Sequence, residues 1–161
     1  MDWKIEVRYK SNIPDAAGQG ILEDIADLGI SGVDLVKTAK VYWIEGNFRA
    51  REVDRICSEL LADPVIQESF CQRSDGNSEV STSDTGVWTV EVRFKPGVTD
   101  AVGDSVVKGI QDLGLPCVNA AQTGQRYRIF GDVDLSTIET ISRRLLANEV
   151  IQTFDIKQEP D

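Results

Sequence analysis

Between Val90 and Gly114 the chain changes its hydrophobic period once, and that change predicts a strand, a turn and a helix. Val90, Val92 and Phe94 alternate with Glu91, Arg93 and Lys95, and Trp88 extends the apolar side, so a half-buried strand is expected. Pro96-Gly97 then turns the chain. Asp100 is placed to accept from the free N–H groups of a helix's first turn. Beyond it Val102, Val106, Ile110 and Leu113 recur at helical steps, and Gly114 stands where a left-handed C-terminal residue is usual. The expected unit is a helix packed back on the strand that precedes it.

The same unit occurs earlier at a constant offset of 85 positions, the distance from Trp3 to Trp88. Trp3, Ile5, Val7 and Tyr9 repeat Trp88, Val90, Val92 and Phe94, while Glu6, Arg8 and Lys10 repeat Glu91, Arg93 and Lys95 unchanged. Asp15 and Gly18 match Asp100 and Gly103, and the register holds through LLADPVIQ (60–67) against LLANEVIQ (145–152) without a gap. About a third of paired positions are identical, against roughly 5–6% by chance, which makes this an internal duplication.

The remaining elements are read from both copies together. Ala17, Ile21, Ile25 and Leu28 form the first helical stripe, with Gly18 inside it; a glycine there costs up to ~1 kcal/mol relative to Ala, so a close backbone neighbour is expected. Residues 33–46 and 118–131 favour strand, and a break at Thr38-Ala39 and Thr123-Gly124 favours a hairpin over one long bent strand. Val53, Ile56 and Leu60, and then Ile138, Ile141 and Leu145, mark a second helix in each copy. Ser136 or Asp134 is its N-cap in the second copy, and Pro64 is its stop in the first. Strands at 65–71 and 150–156 complete the order β-α-β-β-α-β. The expected fold is α+β, two tandem ferredoxin-like two-layer units with antiparallel sheets packed as a pseudo-dimer. The boundaries are 1–71 and 87–158, joined by a polar, flexible linker at 72–86.

Composition narrows the function classes. A formal net charge of -10 with no basic patch in either half argues against nucleic acid or an anionic membrane as partner. No apolar run approaches a membrane span and no leader pattern opens the chain, so a cytoplasmic location is expected. The chain has no histidine, which removes the commonest general base and metal ligand, and three scattered cysteines cannot replace it. Cys57, Cys71 and Cys117 fall on Ser142, Ile156 and Gly32 in the repeat register, so reduced, mostly buried thiols are expected rather than a structural disulfide. Gly18-Gln19-Gly20 lacks the third glycine of a phosphate loop, and Glu23, Asp24 and Asp27 fall on a solvated helix face. No catalytic residue, cofactor or metal site is expected.

One constellation kept in both copies is not plainly core: Glu6, Arg8 and Lys10 with Glu91, Arg93 and Lys95, together with Tyr42 and Tyr127. A two-layer fold leaves one sheet face uncovered, where these residues either form cross-strand salt bridges or make a polar docking face. The candidate interface is therefore Arg8, Lys10, Arg93, Lys95, Pro96, Gly97, Tyr42 and Tyr127.

KPGVTDAVG (95–103), the helix to Asp112-Leu113-Gly114, the step Gly124-Gln125-Arg126-Tyr127 and LLANEVIQ together resemble PurS. PurS is the small subunit of phosphoribosylformylglycinamidine synthase (formylglycinamide ribonucleotide amidotransferase). The first copy is a more divergent match, with KSNIPDAAG and Asn12 at the place of Gly97, yet it keeps Pro64 where the second copy has Glu149. Two copies in one chain also resemble the PurS-like N-terminal region of long PurL chains. The resemblance implies a non-catalytic role that helps join an ATP-dependent synthetase (PurL-type) to a glutaminase (PurQ-type) so that ammonia can pass between them. A tandem ACT-type sensor of small molecules shares the strand and helix order and is the alternative.

Overall fold

The computed structural model describes residues 2–73 and 87–159. Gln72 and Arg73, the first residues of the expected linker, continue a strand, and the rest of it lies outside the described residues.

The elements run β1 (Asp2–Tyr9), α1 (Ala16–Asp27), β2 (Val33–Gly46), α2 (Ala50–Ile56), β3 (Gln67–Arg73), β4 (Val87–Phe94), α3 (Ala101–Asp112), β5 (Val118–Gly131), α4 (Leu135–Ile141) and β6 (Gln152–Glu159). The helices α2 and α4 each run on into a π-helical turn, Cys57–Leu61 and Ser142–Leu146. The six strands form one antiparallel sheet in the order β3-β1-β2-β5-β4-β6, so the α+β expectation is met.

Local chemistry explains the ends. Leu28 and Leu113 cap α1 and α3, and Gly29 (φ 80°) and Gly114 (φ 86°) follow in the left-handed conformation. The next N–H in each case, of Ile30 or Leu115, reaches back to Ile25 O or Ile110 O, which closes the helix with its apolar contact. Asp134, not Ser136, caps α4 by accepting from Thr137 N–H. Pro64 does not end α2's extension: the turn closes at Leu61 and its counterpart at Leu146, although the second copy has Glu149 at the position of Pro64.

The expected hairpin is absent. β2 and β5 are single strands of 14 residues, about 46 Å long at 3.3 Å per residue. A two-residue hairpin turn needs φ > 0. Among the described residues only Gly29, Gly32, Gly97, Gly114 and Gly131 adopt it, and Gly124 does not. Thr38 and Thr123 are held instead by aspartates 23 residues upstream, described below.

These long strands serve two compact units, whose limits do not follow the repeat boundaries. One unit takes β1, β2 from Ala39 onward, α2, β3, α3 and β5 as far as Gly124. Its core joins Ile5, Val7, Ile44 and Ile56 of the first repeat to Val106, Ile110 and Val118 of the second. The other unit takes α1, β2 as far as Thr38, β4, β5 from Gln125, α4 and β6. There Ile25 and Val36 of the first repeat pack with Val90, Val92, Ile129, Ile138 and Ile141 of the second. Counting each half of a long strand separately, every unit holds four strands and two helices, the ferredoxin-like complement.

The helix therefore does not pack back on its own first strand, contrary to the simplest reading of the sequence. It stays on the first half of its own long strand, and the pair is contributed to the other repeat's core. Gly18 and Gly103 make this possible. A Cβ at Gly18 would run into Val36 O, and one at Gly103 into Ala121 O, so the close backbone neighbour expected at Gly18 is the long strand. Each fully buried Ile or Val adds roughly 1.5–3 kcal/mol, enough for the exchanged side chains to hold a small unit together.

Candidate partner interface

Alternation along β1 sends Trp3, Ile5 and Val7 into the core and leaves Lys4, Glu6 and Arg8 on the opposite face. The register sets Glu6 between Val41 and Phe70, and Arg8 between Ala39 and Glu68. Val41 and Ala39 are buried although they lie away from the helices, so long polar side chains lie down over this face. Arg8 is the clearest case. Its guanidinium is 4.0 Å from the centre of the Phe70 ring and its Nε 3.9 Å from Glu68, with 22% of the side chain exposed. Lys4 Nζ lies 5.7 Å from the Trp43 ring. A cation over a ring is worth ~0.5–1 kcal/mol at an exposed site, so these contacts order the face more than they stabilise the fold.

In the second unit Glu91 pairs with Asp155 across β4 and β6, and Arg93 with Thr153. Glu91 and Arg93 are both engaged by neighbours. Lys37 and Arg128 approach the Phe130 ring at 5.6 and 5.9 Å. Phe70 of the first repeat has Asp155 as its counterpart, so the two units present different surfaces despite the conserved Glu-x-Arg-x-Lys run.

Lys10 and Lys95 leave the sheet. Lys10 Nζ donates to Pro64 O at 2.7 Å and its N–H to Ile66 O at 3.0 Å, fastening the loop that leads into β3. Lys95 N–H likewise donates to Ile151 O at 2.9 Å. Val98 N–H closes the turn on Lys95 O at 3.1 Å with Pro96 and Gly97 exposed at its tip, and Gly97 has φ 85°, a type II turn with proline and glycine in their favoured places. The first copy keeps the turn, with Ile13 N–H on Lys10 O at 2.9 Å. Asn12 does not take a positive φ there, so the loss of the glycine changes the turn type and not the path.

Tyr42 and Tyr127 stand apart from this group, which corrects their placement with the charged strand face. Tyr42 is opposite Ile5 in the register and lies in the core, and Tyr127 packs against the other unit's core. Burial pushes both phenols above their ordinary pKa. They followed Val41 and Arg126 in strands where apolar residues occupy both faces, so alternation alone could not assign a side.

Two arrangements went unread in the sequence. Asp15 caps α1 by accepting from Gly18 N–H at 2.9 Å and also accepts from Thr38 N–H at 2.6 Å and from its hydroxyl. Asp100 does the same for Gly103 at 2.8 Å and Thr123 at 2.6 Å. The constant offset of Asp, Gly and Thr in both copies was the available signal. The second is Cys57 with Cys71, whose sulfurs are 3.0 Å apart; Cys71 is exposed and Cys117 half-buried, against the expectation of mostly buried thiols. Among the described residues no cluster of three or more His, Cys, Asp or Glu could hold a metal ion, and no helix is long and apolar enough to cross a membrane.

The family described as PurS: Phosphoribosylformylglycinamidine (FGAM) synthase matches residues 2–73 and again 87–160. The phosphoribosylformylglycinamidine synthase subunit PurS of Archaeoglobus fulgidus is 33% identical over 69 residues, which cover 40% of this chain and 86% of that protein. The crystal structure of Methanocaldococcus jannaschii PurS, one of the subunits of formylglycinamide ribonucleotide amidotransferase in the purine biosynthetic pathway, aligns at 28% identity with a TM-score of 0.42. That alignment covers 47% of this chain and 96% of that one. Each relative is thus spanned almost end to end by less than half of the present chain.

Proposed function

We propose, from the premise that this chain belongs to the PurS family of FGAM synthase and so has a role in purine biosynthesis, that it is a non-catalytic assembly module joining a PurL-type synthetase to a PurQ-type glutaminase. The observation that carries the reading is the family match over both repeats, which makes the chain a covalent pair of PurS-like units. Its own residues supply contacts, not chemistry. Arg8 and Arg93 lie on the sheet face away from the helices, and the exposed turn at Pro96-Gly97 follows Lys95. Arginine suits forked pairing with a carboxylate, and such charges favour a matched partner while repelling others. Tyr42 and Tyr127 would then support the face from the core side. No observation favours the ACT-type reading.

The test is reversal of Arg93 and Lys95 to glutamate. Binding to the synthetase and glutaminase, followed by calorimetry, should weaken by ~2 kcal/mol or more, about 30-fold, with the far-UV spectrum retained. Unchanged affinity in a folded double variant would remove this face from the interface.

A further inference from the structure

Cys57 and Cys71 lie 14 positions apart in sequence with their sulfurs 3.0 Å apart. Cys57 is buried where α2 passes into its π-helical turn, and Cys71 stands on β3, an edge strand of the sheet, opposite Ile5. The sulfurs need approach by only about 1 Å to reach bonding distance. We propose that Cys57 and Cys71 are a thiol–disulfide exchange site that takes a low-molecular-weight disulfide as its oxidant and closes to a reversible cross-link between α2's extension and β3.

Packing does not call for a thiol at either place. The second repeat has Ser142 where the first has Cys57, fully buried and satisfied by Ile138 O at 2.8 Å, and Ile156 where the first has Cys71. Two contacting positions thus both carry cysteine in one repeat and neither does in the other. The two thiols share one hydrogen bond, in which either sulfur can donate. Cys57, buried and 3.0 Å from Cys71, is the sulfur placed to attack once its neighbour has reacted.

Exposure sets the order of events. Cys71 loses its proton to solvent and attacks one sulfur of the disulfide RSSR, expelling RS⁻, which takes up a proton. Cys57 then attacks Sγ of Cys71, breaking the mixed disulfide and expelling the second RS⁻, and the proton of Cys57 goes with it. The sum converts two protein thiols and RSSR into one protein disulfide and two RSH. The first unit gains a covalent tie between its helix layer and its edge strand, and Ser142 and Ile156 deny the same tie to the second.

Oxidised glutathione is the probe, applied to the full native chain. The expected result is a fall in titratable thiols from three to one, a mass loss of two hydrogens, a peptide joining Cys57 to Cys71, and full reversal by dithiothreitol. Cys117→Ser should leave the cross-link intact. Cys57→Ser, which copies the buried serine of the second repeat, should instead stop at a stable glutathione adduct on Cys71. Three thiols that remain titratable in the native chain, an adduct on Cys71 that never resolves in the unsubstituted protein, or a cross-link that forms only after denaturation would each overturn the proposal.

Discussion

Asp100→Ala removes the shared acceptor of three donors at a half-buried polar residue. The carboxylate accepts from Gly103 N–H at 2.8 Å, which caps α3, and from Thr123 N–H at 2.6 Å and Thr123 Oγ1 at 2.9 Å, which fix the middle of β5. Loss of the cap costs ~1 kcal/mol. The two Thr123 donors are left partly buried without their acceptor, at ~1 kcal/mol each for groups that water can still partly reach. The sum of ~3 kcal/mol is a large share of a total stability of about 5–15 kcal/mol, and corresponds to a fall in Tm of about 10 °C for a chain of this size.

Urea unfolding followed by circular dichroism measures it, with two comparisons that separate cap from clamp. Asp100→Asn keeps one acceptor oxygen but turns an N–H₂ toward donors, so it should recover the cap and not the strand contacts. A double-mutant cycle with Thr123→Ala should return a coupling of ~1 kcal/mol or more. A loss of only ~1 kcal/mol in Asp100→Ala, with no coupling to Thr123, would mean the residue is an ordinary N-cap and that something else keeps β5 straight. Asp15→Ala should cost a similar amount, because Gly18 and Thr38 reproduce the arrangement.

Cleavage at a protease site placed within 74–86 should leave the two repeats associated on size-exclusion chromatography at micromolar concentration, because Ile110 and Ile25 each complete the other repeat's core. Fragments that separate and keep their native spectra would contradict the exchange. Gly97→Ala should lose ~1–2 kcal/mol because its φ is 85°, whereas Asn12→Ala, at the equivalent turn position without positive φ, should lose less than ~0.5 kcal/mol in the same denaturation assay.

The sequence made legible what depends on neighbours. Alternation in β1 and β4, the Asp caps of α1 and α3 and the left-handed glycines 29 and 114 are all set within a few residues, and each stands where the pattern put it. The ends of the helical stripes were less secure: Leu28 is 37% and Val102 58% exposed, because the contact with the sheet is narrower than the apolar face. Thr123-Gly124 has the composition of a turn, yet its conformation is decided by a carboxylate 23 residues away and by pairing with other strands. Cys57 and Cys71 were separated by a strand and a turn in the reading and by 3.0 Å in space.

Which helix packs on which strand was hidden for a different reason. Ile5 and Val7 offer α3 much the same surface that Val90 and Val92 offer α1, so a duplicated chain carries no pattern that distinguishes packing within a repeat from packing between repeats. The choice falls to the connection. Had Thr38-Ala39 and Thr123-Gly124 turned, each helix could have folded back over its own first strand, and two independent units would have followed the repeat boundaries. The aspartates bind the N–H of Thr38 and Thr123 and hold them in extended strand, so each helix travels with the first half of its long strand into the other repeat's core. Two N-cap carboxylates that bind the strand midpoints thus favour an exchanged pair over separate units, on cores whose apolar pattern is compatible with either.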